Sequence, residues 1–112
     1  MSKAISGLKI TELILGQGKL AEQGKVATIH YRGFLNQGEE FRSSYTLGEP
    51  TSFRIGNRQV IAGLEKGIVG MRVGGKRRIR VSPHLAYGDE SVPGIPPNAV
   101  LIFEIDLIDV QD

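Results

Sequence analysis

The chain has 112 residues, of which 40% are hydrophobic and 23% charged, a length and composition that predict one globular domain over residues 1–112. It contains no Cys, which excludes disulfides, thiol nucleophiles and the common zinc patterns, and its net charge of +2 is weak evidence for a nucleic-acid partner. We find no signal peptide and no apolar run near the ~20 residues of a membrane span, so we expect a cytoplasmic protein without a membrane partner.

Four strands are predicted in the first half of the chain. Residues 8–15 form the first and end at a Gly-Gln-Gly turn, and residues 26–35 form the second. In this second strand one set of alternating residues shares a face, namely Ala27, Ile29, Tyr31 and Gly33. Short strands are expected at 39–44 and 51–55, each next to glycine-containing turns.

Residues 60–71 are the one helix that the pattern predicts. Its apolar residues recur at helical spacing, namely Val60, Ile61, Leu64, Ile68 and Met71. It also contains three glycines, each of which weakens a helix by roughly 1 kcal/mol relative to Ala. We therefore expect it to lie packed on a sheet.

Two more strands follow, at 76–82 and 100–110. The last one places Leu101, Phe103 and Ile105 on one face and Glu104 on the other. Strands and helices do not alternate, which excludes a doubly wound parallel sheet. The fold class is α+β, an antiparallel sheet with a helix on one face.

The residue types that usually carry catalysis show no reactive pattern. His30 and His84 are far apart, and Ser43 and Ser44 have no triad spacing. The Gly-Gln-Gly turn and Gly74-Gly75-Lys76 are only fragments of phosphate loops. We expect no metal and no cofactor. The basic run at 76–80 favours a solvated sheet face over a nucleic-acid site.

The aromatic residues are more informative. Five of them can converge, namely Tyr31, Phe41, Phe53, Tyr87 and Phe103. They could form a closed core, or an apolar cup that is open on one side with a tyrosine hydroxyl at its lip. Three prolines stiffen the loop that follows Tyr87, which could be a plain connection or one wall of that cup.

Three segments resemble the motifs of FKBP-type peptidyl-prolyl isomerases. They are VATIHYRGFLNQGEEFRSS (26–44), VIAGLEKGIVGMRVGGKRRIRVSPHLAYG (60–88) and PGIPPNAVLIFEIDLIDV (93–110). They occur in the family's order and cover most of residues 26–110. The resemblance implies an antiparallel sheet of five to six strands wrapped around one short α-helix.

The resemblance also implies a set of site residues. Those expected to be catalytic are Tyr31, Phe41, Tyr87 and Phe103. Those expected to bind substrate are Phe53, Val60, Ile61, Leu64, Ile95 and Arg42. The Ile61 N–H and the Tyr87 hydroxyl correspond to the family's donors to ligand carbonyls, and the loop 88–98 corresponds to the rim that closes over the proline.

The implied function is cis–trans isomerisation of X-Pro bonds in folding or folded proteins. The expected partners are proline-containing peptides and unfolded chains, and macrolide immunosuppressants bound with reduced affinity because Arg42 replaces the family's usual Asp. The alternative is a non-catalytic binding module of the same fold. We expect a monomer with modest chaperone activity, and hypothesise that Asp89 pairs with Arg42 at the pocket edge.

Overall fold

The computed structural model describes residues 5–112, which form a six-stranded antiparallel sheet, two α-helices and a one-turn 3-10 helix at Pro83–Leu85. The strands and helices are, in chain order, β1 (Leu8–Ile14), β2 (Val26–Leu35), β3 (Glu40–Ser43), α1 (Ser44–Leu47), β4 (Thr51–Arg54), α2 (Ala62–Ile68), β5 (Lys76–Val81) and β6 (Leu101–Gln111). The sheet order is β1-β5-β6-β2-β3, and β4 also pairs with β2. The predicted fold class is confirmed.

The long strands β2 and β6 form the centre of the sheet. Their alternation is as predicted, since Ala27, Ile29 and Tyr31 are buried on the same face as Phe103 and Ile105. A bulge between Thr28 and Ile29 in the pairing with β6 changes the phase at the end of β6. This face and the helix α2 enclose the hydrophobic core.

The outer edge of β2 is shared by two short strands. β4 pairs with residues 26–29 and β3 pairs with residues 32–34. Between these two ladders His30 and Tyr31 have no strand partner on that side. The one-turn helix α1 lies in this break, as the connection from β3 towards β4.

The helix α2 lies very close to β5 because two of its residues have no side chain. A Cβ atom on Gly63 would overlap Cγ1 of Val81, and one on Gly67 would lie 2.7 Å from Cδ1 of Ile79. The glycines that make α2 a poor helix by itself therefore let it pack on the sheet, as the sequence led us to expect. Gly70 lies after the helix, with a φ of +92° that favours glycine.

Arg77 holds the C-terminal end of α2 to β5. Its side chain is buried, and its Nη1 donates hydrogen bonds to the carbonyl oxygens of Gly67 (2.7 Å) and Val69 (3.0 Å). Its Nε donates to Glu12 on β1 over 2.6 Å. A cation at this end of a helix satisfies carbonyls that have no partner within the helix. The sequence placed Arg77 in a basic run and did not suggest this contact.

The predicted helix was too long at both ends. Val60 and Ile61 precede α2, because Ile61 has an extended ψ of 149°. Met71 is buried but follows the helix, which ends before Val69. The strand predictions agree with the structure to within one or two residues, whereas α1 was not predicted.

None of the helices in residues 5–112 is long and apolar enough to cross a membrane. Within the same residues, no three side chains of His, Asp or Glu lie together in an arrangement that could hold a metal ion.

The contact between α2 and β5 can be tested with Gly63→Ala. We expect it to lower the free energy of unfolding by about 1–3 kcal/mol, because the new methyl overlaps Val81 in a well-packed core. Chemical denaturation of the single variants and of Gly63→Ala/Val81→Ala would measure this. If steric overlap is the cause, the double variant loses less stability than the sum of the two single variants. Strict additivity would contradict this explanation.

Candidate functional site

A cavity of about 260 Å³ opens where the start of α2 faces β2, β3 and β6. Its wall consists of Tyr31, Phe41, Arg42, Leu47, Thr51, Gln59, Val60, Ile61, Leu64, Tyr87 and Phe103. Most of these side chains are apolar or aromatic, and Arg42 is the only charged one. An apolar cavity with few polar groups is the usual form of a small-molecule or peptide site.

Three aromatic rings form one side of the cavity. Phe103 packs edge-on against Tyr31, with ring centroids 6.1 Å apart, and against Phe41, with centroids 5.9 Å apart. Gly33 makes this approach possible, because a Cβ atom there would lie 2.7 Å from the Phe41 ring. The rings are therefore fixed by packing on a strand face that also forms the core.

The donors at the cavity include the Tyr87 hydroxyl and the Ile61 N–H. Within residues 5–112 neither the Tyr87 hydroxyl nor the Ile61 N–H has a hydrogen-bond partner in the protein. Ile61 immediately precedes α2, and its carbonyl accepts the N–H groups of Leu64 and Glu65. Both donors can therefore serve a carbonyl group placed in the cavity.

Arg42 is exposed at the edge of the cavity. The ion pairs found among residues 5–112 do not include it, and they do not include Asp89. The hypothesised pair between Arg42 and Asp89 is thus absent from the structure. The cavity edge carries a positive charge without an acidic partner.

Ser44, the first residue of α1, completes the sheet opposite Tyr31. It is fully buried, and its Oγ accepts a hydrogen bond from the Tyr31 N–H over 2.7 Å and lies 3.3 Å from the Tyr31 carbonyl oxygen. The same Oγ lies 2.9 Å from Nδ1 of His30. One hydroxyl therefore satisfies the backbone of a cavity residue where no strand pairs with it. The sequence pattern did not suggest this contact.

Tyr45 fixes α1 from its other side. Its ring stacks on His30 with centroids 4.3 Å apart, and its hydroxyl donates a hydrogen bond to Asp106 on β6. Partial burial of the hydroxyl, together with its hydrogen bond to the Asp106 carboxylate, raises the pKa of Tyr45 to about 12. These contacts hold the helix whose last residue, Leu47, lines the cavity.

The structure brings most of the expected site residues to the cavity, but Phe53 and Ile95 lie outside its wall. Both are buried in the core, with 3% and 6% of their surface exposed. Three residues of the wall were not expected, namely Leu47, Thr51 and Gln59. Leu47 and Gln59 belong to α1 and a loop, where no periodic pattern points to a side chain's direction.

The proline-containing loop follows Tyr87 and passes close to Phe41. Asn98 donates its N–H to the carbonyl of Gly88 over 2.8 Å, which closes the loop at its base. Val92 and Ile95 exchange two backbone hydrogen bonds, and Gly94 lies beside Cβ of Phe41. The loop thus borders the aromatic side of the cavity through Phe41.

The basic residues of β5 lie on both faces of the sheet. Arg77 is buried under α2, and Arg78 forms an ion pair of 2.7 Å with Glu104 on the outer face. Lys76 lies across from Asp106 in the ladder. Acidic neighbours therefore offset much of the charge that a nucleic acid would need.

A second cavity, of about 320 Å³, lies far from the aromatic rings, between the chain around Lys19 and the end of β6. Its wall includes Lys19, Glu22, Lys25 and Asp112, and Lys25 and Asp112 form an ion pair of 2.8 Å. Its wall has no aromatic side chain and carries several charged ones. We therefore take the smaller, aromatic cavity as the candidate site.

Most of the chain matches a protein-family model. Residues 17–108 match the model of the FKBP-type peptidyl-prolyl cis-trans isomerases. That match covers every residue of the cavity wall.

Curated relatives match almost the whole chain. It is 42% identical over 109 residues to FK506-binding protein 1A of Neurospora crassa, covering 96% of this chain and 91% of that protein. It is also 42% identical to FK506-binding protein 4 of Aspergillus fumigatus and 43% identical to the 46 kDa FK506-binding nuclear protein of Spodoptera frugiperda. The matches cover 97% and 94% of this chain, but only 22% and 26% of those two longer relatives.

Solved structures give the same result. The crystal structure of AtFKBP13 superposes with a TM-score of 0.88 at 39% identity, over 96% of this chain and 94% of that one. That of FkpA from Escherichia coli superposes with a TM-score of 0.84 at 38% identity, over 96% of this chain and 53% of that one.

The role of Ser44 can be tested with Ser44→Ala. We expect a loss of about 1–3 kcal/mol in the free energy of unfolding, because the buried Tyr31 N–H loses its acceptor. Ser52→Ala is the matched control, since the Ser52 hydroxyl bonds only the exposed Thr28 hydroxyl, and we expect it to cost within about 0.5 kcal/mol. Equal losses in the two variants would contradict the role given to Ser44.

The Tyr45 contact predicts a pH dependence of stability. The pKa of Tyr45 is raised in the folded protein from 10.0 to about 12, so its stabilising effect is complete below pH 10.0 and is lost as the pH rises through about 12. Absorbance titration should show a tyrosinate transition near pH 12 that is missing from Tyr45→Phe. A wild-type titration in which Tyr45 ionises at or below its ordinary pKa would contradict the contact.

Proposed function

The chain belongs to the FKBP-type peptidyl-prolyl cis-trans isomerase family, and on that premise we propose that it catalyses rotation about X-Pro bonds in folding and folded proteins. The observation that carries the proposal is the largely apolar, aromatic cavity, whose wall includes the Tyr87 hydroxyl and the Ile61 N–H, two donors without partners among residues 5–112. No general base, nucleophile or metal is required by this reaction. The chemistry therefore fits a site without activated side chains.

The barrier to this reaction comes from amide resonance. Rotation about a peptide bond costs roughly 18–20 kcal/mol, and uncatalysed X-Pro isomerisation takes tens to hundreds of seconds. A twisted amide has less charge separation than a planar one. Transfer from water into an apolar site therefore costs the twisted amide less than the planar one, which lowers the barrier to rotation. A catalyst must stabilise the twisted state more than the planar one.

We propose that the proline ring of the substrate sits between the aromatic rings and α2. In this arrangement Tyr31, Phe41, Tyr87 and Phe103 surround the reacting amide. Val60, Ile61 and Leu64 form the opposite wall. Phe53 and Ile95 act from the core behind the wall, by holding these residues in place.

In this proposal the two donors bind the backbone of the substrate. The Ile61 N–H and the Tyr87 hydroxyl donate to carbonyl groups of the bound peptide. A donor whose hydrogen bond to the carbonyl is stronger when the amide is twisted than when it is planar lowers the barrier to rotation. Because both donors have no partner among residues 5–112, no bond within this part of the chain must break first.

A second candidate function is a binding module with weakened catalysis. Arg42 favours it, because an exposed charged side chain keeps water at the rim and so works against the removal of water from the substrate amide. In this case the cavity would hold a proline-containing segment without accelerating its rotation. Recovery of turnover in Arg42→Asp would favour this alternative.

The names of the relatives suggest a second class of ligand. Those relatives are called FK506-binding proteins, and we propose that the chain binds macrolides of this kind in the same cavity. We expect reduced affinity, because Arg42 stands at the cavity edge. Cytoplasmic location, a monomeric state, a single domain and modest chaperone activity stay predictions from the sequence, and one relative is nuclear by name.

The proposed activity predicts that the wild-type protein accelerates cis–trans exchange in short X-Pro peptides. We expect Tyr87→Phe to lower kcat/KM about two- to tenfold, the range for the loss of one hydrogen bond of about 0.5–1.5 kcal/mol. A protease-coupled assay on Ala-Leu-Pro-Phe peptides would measure both.

Tyr45→Phe is the control, because its hydroxyl faces Asp106 and the Tyr45 side chain is not part of the cavity wall. We expect it to retain most of the activity. A wild type without activity refutes the isomerase, and an unchanged Tyr87→Phe refutes the role of its hydroxyl.

A further inference from the structure

The charge of the cavity wall points to a preferred class of substrate, an inference that rests on the proposed function. Arg42 is the only ionisable group of fixed charge on the wall, and it is exposed. No acidic side chain lines this cavity. The mouth of the site is therefore electropositive.

Three acidic residues of β3 and β6 are engaged elsewhere. Glu40, two residues before it on β3, accepts hydrogen bonds from Nε and Nη2 of Arg32 over 3.1 and 2.8 Å. Glu104 pairs with Arg78, and Asp106 accepts the Tyr45 hydroxyl. Within residues 5–112 no carboxylate forms an ion pair with the Arg42 guanidinium, which leaves its five N–H donors for a ligand.

The surface around Arg42 also has room for a peptide. A shallow cavity of about 300 Å³ lies on the far side of Arg42, and it shares Phe41, Arg42 and Leu47 with the aromatic cavity. A chain whose proline occupies the aromatic cavity can thus continue over Arg42 and Leu47. Its side chains next to the proline would then pass within reach of the guanidinium.

We propose that Arg42 selects X-Pro segments with an acidic residue next to the proline. The carboxylate, or the phosphate of a modified side chain, pairs with the guanidinium at the rim while the proline enters the aromatic cavity. Such a pair is exposed, so its effect is modest and depends on salt. It directs the enzyme towards acidic segments without taking part in the rotation itself.

The test compares two pairs of peptides that differ only in Glu against Gln, placed directly before the proline in one pair and directly after it in the other. Exchange NMR at low salt gives kcat/KM for each. We expect the Glu peptide of at least one pair to be favoured about two- to fivefold, the range for one exposed ion pair. The preference should vanish near 1 M salt, where charges are screened within about 3 Å. Comparing kcat/KM for a phosphoserine peptide and for the same peptide with serine tests whether Arg42 also recognises a phosphate.

Two variants locate the effect. Arg42→Gln should bring the Glu-to-Gln ratio close to one, and Arg42→Glu should reverse it. Arg80→Gln is the matched control, because it removes the same charge from an exposed residue of β5 outside the cavity, and it should keep the wild-type ratio.

The inference and the proposed function fail in different ways. Equal rates for Glu and Gln peptides in an active wild type would overturn the role of Arg42 and leave the isomerase intact. An equal fall of the ratio in Arg80→Gln would also overturn it, since net charge would then be the cause. If no peptide is isomerised, the proposed activity fails, and the dissociation constants of the same peptides decide whether Arg42 recognises the acid.

Discussion

The hydrogen bond between the Ser44 hydroxyl and the Tyr31 N–H is the contact on which the candidate site depends most. β2 is paired on one edge by β4 and then by β3, and Tyr31 lies in the gap between the two ladders. A buried N–H without a partner is costly, so the gap can exist only because a side chain fills the place of a strand. The same gap contains α1, which brings Leu47 to the wall of the cavity.

The other side of the cavity depends on how closely α2 approaches the sheet. Gly63 and Gly67 let the helix lie directly on β5, and Arg77 holds its last carbonyls. The chain enters α2 in an extended conformation at Ile61, and the Ile61 N–H takes no part in the hydrogen bonds of the helix. The space between this entry and the rings of β2 and β6 is the cavity. Its apolar wall is thus an unclosed part of the core.

The sheet could be predicted from the sequence because its strands alternate clearly. β2 was predicted with its observed bounds, and Tyr31 and Phe103 were placed on the correct face. The ends of α2 were missed because Val60, Ile61 and Met71 repeat at helical spacing yet lie in extended or turning backbone, and no side chain caps the start of the helix. The structural roles of Ser44 and Arg77 depend on contacts between elements that are distant in the sequence. A local sequence pattern carries no information about such contacts. Leu47 and Gln59 reach the wall from α1 and a loop for the same reason.

The central claim is that the aromatic cavity is the place where an X-Pro bond rotates. The most direct measurement is NMR on the labelled protein with a proline-containing peptide, recording cis–trans exchange of the peptide and shift changes of the protein together. We predict faster exchange accompanied by shift changes at Ile61, Leu64 and Tyr87. Faster exchange with the shift changes gathered instead around Lys19 and Asp112, or exchange no faster than without the protein, would contradict the account.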